Sequence, residues 1–154
     1  MTATPAVERA GAPGDGATCV MVADDDFGVR TSLSEILRRA GYVVVEAEDG
    51  VVALDKLEEQ AVQVLVLDIR MPRCDGIGVL DAIDDPPVVL LVSAFSVDQA
   101  TKERIGRKVY RYLRKPVAPP LLLECVAQAT KDRPAAGTAP AERSRRHEAS
   151  SPPD

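Results

Sequence analysis

Hydrophobic and polar positions follow two different rhythms along the middle of this chain. Nearly unbroken apolar runs at 19–23, 64–67 and 88–92 have the length of buried strands. The aromatic and β-branched run at 42–45 reads as another strand, and 109–113 as a fifth. Between these runs the period lengthens. Val29, Leu33, Ile36, Leu37 and Ala40 fall at i, i+4, i+7, i+8 and i+11, one face of a helix that Gly41 stops. Asp49-Gly50 predicts a turn and 51–59 a helix. A short helix is expected over 76–83, weakened by Gly78, before Pro86-Pro87 break the chain. Residues 97–105 predict a helix ended by Gly106. Pro119-Pro120 then open a last helix with Leu122, Val126 and Ala129 on one face.

The order is strand–helix, five times over. Apolar strands separated by helices predict an α/β fold with a parallel sheet covered on both faces. Right-handed crossovers restrict it to a few doubly wound forms, whose ligands bind beyond the carboxyl ends of the strands. The residues just past each strand therefore share one rim. Asp24 and Asp25 follow the first strand, Asp68 the third, Ser93 the fourth, and Lys115-Pro116 the fifth.

Composition narrows the setting. The chain has 154 residues, room for one ordinary domain, and 45% are apolar, enough for a core. A net charge of −5 speaks against nucleic-acid binding driven mainly by charge. No apolar run approaches the roughly 18 residues of a membrane span. The opening MTATPAVERAGAPGDG lacks the charged-then-apolar order of a signal peptide. Cys19, Cys74 and Cys125 are odd in number, with no zinc spacing and no disulfide framework, so inert, reduced thiols in a cytoplasmic protein are expected. Residues 1–17 and 131–154 are predicted as disordered tails around an ordered domain at 18–130. The single histidine, His147, and the run Arg143-Ser144-Arg145-Arg146 fall in the second tail and read as solvated.

The rim suggests a chemistry. Three carboxylates packed together repel, and stay ionised only beside a cation. An all-oxygen set suits Mg²⁺, which keeps some waters and takes a phosphate oxygen. Lys115 offers a point charge for an anion and Ser93 a hydrogen bond. These are the parts of phosphoryl transfer, in which one aspartate becomes an aspartyl phosphate.

The pieces "VMVADDDFGVR", "LVLDIRMPRCDG", "VSA" at 92–94 and "YLRKP" at 112–116, in this order and spacing, resemble a response-regulator receiver domain over residues 18–130. The resemblance implies a flavodoxin-like sheet of strand order 2-1-3-4-5 with five helices. It makes Asp68 the phosphoacceptor, charged by a histidine kinase or a phosphotransfer protein. Asp24 and Asp25 match the pair that holds Mg²⁺; Arg30 sets that register and leaves Asp26 as a helix N-cap. The backbone carbonyl of Arg70 would complete the metal shell. Ser93 matches the hydroxyl that turns toward the phosphoryl group, Tyr112 the aromatic switch (with Tyr110 a competitor), and Lys115 the lysine of the site. Lys115-Pro116 is expected to be cis.

Two stretches depart from the common pattern. The segment between Asp68 and Ser93 is short, and "RIGRKVYRYL" replaces smaller residues before the fifth strand. Both lie near the signalling surface and bear on partner and dimer mode. Phe95 and Arg70 occupy positions that tune dephosphorylation in such domains; an aromatic and a long cation there would limit water.

The function expected first is a stand-alone phosphoacceptor switch in a two-component or phosphorelay system. The residues after 130 are too few for a DNA-binding or enzymatic output domain, so output would come from binding. Phosphorylation would bias the face of the fourth helix, fifth strand and fifth helix, which meets a target protein or a second copy. One alternative is an adaptor that never uses phosphate. Another is a Mg²⁺-dependent phosphohydrolase of the haloacid-dehalogenase type; such enzymes need a second aspartate two residues after the first, where this chain has Arg70.

Overall fold

The computed structural model describes residues 17–132. Most of the two tails, with His147 and the arginine run at 143–146, lies outside the described residues. Ala17 packs against the core, and the last helix runs to Asp132.

Five parallel strands form one sheet: β1 (Cys19–Ala23), β2 (Val43–Ala47), β3 (Val64–Asp68), β4 (Val88–Ser93) and β5 (Arg111–Arg114), in the order β2-β1-β3-β4-β5. The helices are α1 (Phe27–Arg39), α2 (Gly50–Glu59), α3 (Gly76–Ala82), α4 (Gln99–Ile105) and α5 (Pro119–Asp132). The expected doubly wound, flavodoxin-like fold is the fold observed.

Period-two alternation sorts the core into two layers. Met21, Leu65, Leu67, Val89 and Leu91 face α2, α3 and α4, meeting Ala53, Leu57, Val79, Leu80 and Ile105. Val20, Val22, Val66, Leu90 and Val92 face α1 and α5, meeting Leu33, Leu37, Leu122, Cys125 and Val126. Both faces of the central strands are dry, which is why their sequences run apolar without alternation.

Local boundaries shift for identifiable reasons. Asp49-Gly50 is a helix start and not a free turn: the Asp49 carboxylate accepts from Val52 N at 2.9 Å, and α2 begins at Gly50. The fourth helix begins at Gln99, later than 97, because Asp98 caps it by accepting from Thr101 N at 2.8 Å. β5 starts at Arg111, not 109, because a 3₁₀ turn at Gly106–Lys108 consumes the chain first. Gly41, at φ 101°, sits past the end of α1 in the left-handed region that glycine adopts without a Cβ penalty.

Candidate functional site

The sheet delivers its carboxylates to one rim through register. Ala23 lies beside Leu67 across the β1–β3 ladder, so the residues that follow, Asp24 and Asp68, emerge together. Asp24 is pinned further: its N–H donates to Ala47 O at 3.0 Å, and its own carbonyl accepts from Arg30 Nη1 at 2.8 Å. Arg30 is held in turn by Glu46, 3.2 Å away on β2. Asp26 caps α1 as expected, accepting from Val29 N at 3.0 Å.

Asp24 and Asp68 are buried, whereas Asp25 is exposed, and oxygens of the three gather within 4.8 Å of one another. Lys115 Nζ reaches both buried carboxylates, 2.9 Å from Asp24 Oδ2 and 3.4 Å from Asp68 Oδ1. It arrives from the end of β5, where its N–H donates to Ser93 O at 2.9 Å and the Lys115-Pro116 peptide is cis.

Burial pushes the Asp68 carboxyl up to about 6, helped by the neighbouring Asp24 charge and opposed by Lys115. Burial also opposes the charged form of Lys115. Asp24 and Asp68 together outweigh it and hold that pKa above the ordinary lysine value. The site thus has more negative charge than one lysine neutralises. An all-oxygen donor set with excess negative charge fits a hard divalent cation such as Mg²⁺.

The other expected residues surround this centre in different states. Ser93 Oγ is engaged locally, donating to Phe95 O at 2.7 Å and accepting from Phe95 N at 3.0 Å. Tyr112 lies at the surface, with Lys102 Nζ 5.2 Å from its ring centroid. Tyr110 precedes β5 and bonds Asp132, so it does not compete for the same place. Arg70 lies on the rim, its guanidinium 4.8 Å over the Phe95 ring. A cleft lined by Asp25, Phe27, Asp68, Arg70, Phe95 and Lys115 opens above the carboxylates.

Sequence reasoning missed two supports. Glu46 steadies Asp24 through Arg30, and no spacing rule links residues on separate elements. Gly76 allows α3 to approach Asp68: a Cβ there would lie 2.4 Å from the Asp68 carbonyl oxygen. A glycine opening a helix right after Asp75 was the available signal.

Residues 20–127 match the family model described as the response regulator receiver domain. A response regulator, MprA, of Mycobacterium tuberculosis is 39% identical over 103 residues, covering 64% of this chain and 44% of that protein. A protein-glutamate methylesterase/protein-glutamine glutaminase of Anaeromyxobacter dehalogenans is 43% identical over 79 residues, covering 50% of this chain and 23% of that one. The chain thus spans less than half the length of either relative. Among solved structures, the receiver domain of NarL from M. tuberculosis aligns with TM-score 0.66 and 29% identity over 76% of this chain and 98% of that one. A CheY-like receiver domain from Methanospirillum hungatei has the same fold, with TM-score 0.70 and 23% identity over 75% of this chain and 95% of that one.

Proposed function

Because this chain belongs to the response regulator receiver domain family, we propose that it is a phosphoacceptor switch in which Asp68 takes a phosphoryl group from a phosphohistidine. The observation that carries this reading is the position of Lys115 Nζ between the Asp24 and Asp68 carboxylates, at the mouth of an open cleft.

In the proposed reaction an Asp68 carboxylate oxygen attacks phosphorus. A P–O bond forms, the P–N bond to the donor imidazole breaks, and the leaving nitrogen takes a proton. Mg²⁺ held by Asp24, Asp25, Asp68 and the Arg70 carbonyl would neutralise charge on the transferring oxygens. Lys115 stabilises the same charge and pairs with the product phosphoryl group. Its raised pKa keeps it protonated at neutral pH. Attack needs the ionised form of Asp68, and a cation favours that form where burial opposes it.

The switch follows from what Ser93 and Tyr112 do now. Ser93 must exchange its two bonds to Phe95 for one to the phosphoryl group, which moves the β4–α4 loop. Tyr112 would leave Lys102 and turn into the space that loop vacates. The readout is a changed α4–β5–α5 face, recognised by a target protein. Response regulators work with histidine kinases and downstream targets, and this chain is read as part of such a pair. Among the described residues no helix is long and apolar enough to cross a membrane.

Incubation with Mg²⁺ and a small acyl phosphate, followed by intact mass, tests the proposal. A gain of about 80 Da, absent in Asp68→Asn and blocked by EDTA, is expected. No gain from either acyl phosphate or a histidine kinase, with Mg²⁺ still bound, would favour the adaptor.

A further inference from the structure

The loop from Ile69 to Asp75 joins the end of β3, and with it Asp68, to α3. Parts of it are fixed by ordinary means. Ile69 N donates to Val92 O at 3.2 Å, Ile69 O accepts from Gly76 N at 2.8 Å, and Met71 is buried in the core. Arg73 is different. Its φ is 68°, and among the described residues no other residue except glycine has a positive φ. Cys74 N donates to Pro72 O at 2.6 Å across it. An i→i+2 turn about a positive φ is the rarer, more strained form, and arginine is poorly suited to it. Such a conformation persists only where its surroundings hold it.

Asp49 supplies that hold. Arg73 Nε and Nη2 each lie 3.0 Å from Asp49 Oδ2. The other oxygen, Oδ1, accepts from Val52 N at 2.9 Å and caps α2. One buried carboxylate therefore ties the loop to the start of a helix. The two segments also meet backbone to backbone: a Cβ on Gly50 would lie 2.0 Å from Cys74 O. As a plain ion pair this contact would count for little, because the Arg73 side chain is 57% exposed. That reading leaves unexplained why the pair falls on the left-handed residue of the loop that follows Asp68. Arg70 stands between Asp68 and this turn. Burial of Met71 fixes where that side chain sits, not how the Arg70–Met71 peptide is turned. The turn at Arg73 adds the missing constraint.

We infer that Arg73 and Asp49 are positioning residues, whose ion pair holds the left-handed turn of the β3–α3 loop and thereby orients the Arg70 carbonyl for Mg²⁺. The inference rests on the proposed function, in which that carbonyl completes the metal shell.

The test titrates MgCl₂ into the full chain by calorimetry. Arg73→Ala removes the pair and keeps the Cβ that disfavours a positive φ, so Mg²⁺ binding should weaken about tenfold. Arg73→Gly also removes the pair but adopts the turn freely, so affinity should stay within about twofold of the parent. Loss of charge alone would not separate these two variants. Asp49→Asn keeps an acceptor for Val52 N and loses the charge that holds Arg73. It should behave as Arg73→Ala does, and should change nothing further in the Arg73→Gly background. In phosphoryl uptake from an acyl phosphate, Arg73→Ala and Asp49→Asn should need about tenfold more Mg²⁺ for half-maximal rate and reach the parent rate at saturation. Equal weakening in Arg73→Ala and Arg73→Gly overturns the inference. Unchanged affinity in Arg73→Ala overturns it, and so does a parent that binds no Mg²⁺. Intact mass of the same samples separates the two readings. The expected order of affinities with no phosphoryl gain, from acyl phosphate or a histidine kinase, overturns the phosphoacceptor proposal alone. Phosphoryl gain with one Mg²⁺ dependence in the parent and every variant overturns the positioning role alone.

Discussion

Lys115 Nζ lies 2.9 Å from Asp24 Oδ2, joining the ends of an edge strand and a central strand that are far apart in sequence. The pair is mostly buried, so it is weakly screened. Removing the cation in Lys115→Met leaves the buried Asp24 and Asp68 carboxylates facing each other without a counter-charge. In EDTA this variant should lose about 2–3 kcal/mol in urea unfolding, and Mg²⁺ should return much of it. Unchanged stability in EDTA would mean that the lysine contributes nothing net.

Asp68 gives the site a pH signature. Its folded pKa is raised from 3.8 to about 6, so between these values the folded chain holds more protons than the unfolded one. Stability from this group therefore falls as pH rises through that window, and the full penalty is present above about pH 6. Asp68→Asn removes the penalty. Without metal the variant should be more stable than the parent by about 2 kcal/mol at pH 7.5, and the difference should close near pH 3.5. Saturating Mg²⁺ should shrink it at neutral pH. A difference independent of pH would show that Asp68 is not perturbed.

Gly76 links packing to the site. A methyl group there meets the Asp68 carbonyl oxygen at 2.4 Å and Ile69 Cα at 3.0 Å, both backbone atoms that move only together with Asp68. Gly76→Ala should cost about 2 kcal/mol and slow phosphoryl uptake by about tenfold or more. Gly106→Ala is the control: nothing lies within 4 Å of its Cβ position and its φ of −59° suits alanine. That variant should leave uptake unchanged. Time-resolved intact mass with an acyl phosphate measures both.

The Arg70–Phe95 stack stands beside the cleft that water must enter. Phe95→Ala and Arg70→Ala should each shorten the aspartyl-phosphate lifetime, by about threefold to tenfold. Because the two side chains form one contact, the double variant should decay little faster than either single one. Decay rates that multiply would show that they act separately.

Much of this fold is legible in the order of residues. Unbroken apolar runs mark β1, β3 and β4 because those strands are buried on both faces, and the 3.6-residue period marks α1 and α5 because each buries one stripe. The run at 109–113 predicts β5 two residues early, since Val109 packs against the core from the approach to the strand and not from within it. Asp49-Gly50 read as a turn because the residues of a turn and of a helix N-cap are the same; only the bond to Val52 N distinguishes them.

The chemistry divides along the same line. Residue type and strand-end position were enough to nominate Asp24, Asp25, Asp68, Ser93 and Lys115, because a parallel sheet carries all its carboxyl ends to one rim. Sequence order holds no distances, so only the folded chain shows Lys115 between two buried carboxylates, Ser93 tied to Phe95, and Tyr112 at the surface under Lys102. The support of Asp24 by Arg30 and Glu46 belongs to tertiary structure as well. Those contacts join α1 to β2 across the edge of the sheet, and no local pattern in a chain records which distant charge it will meet.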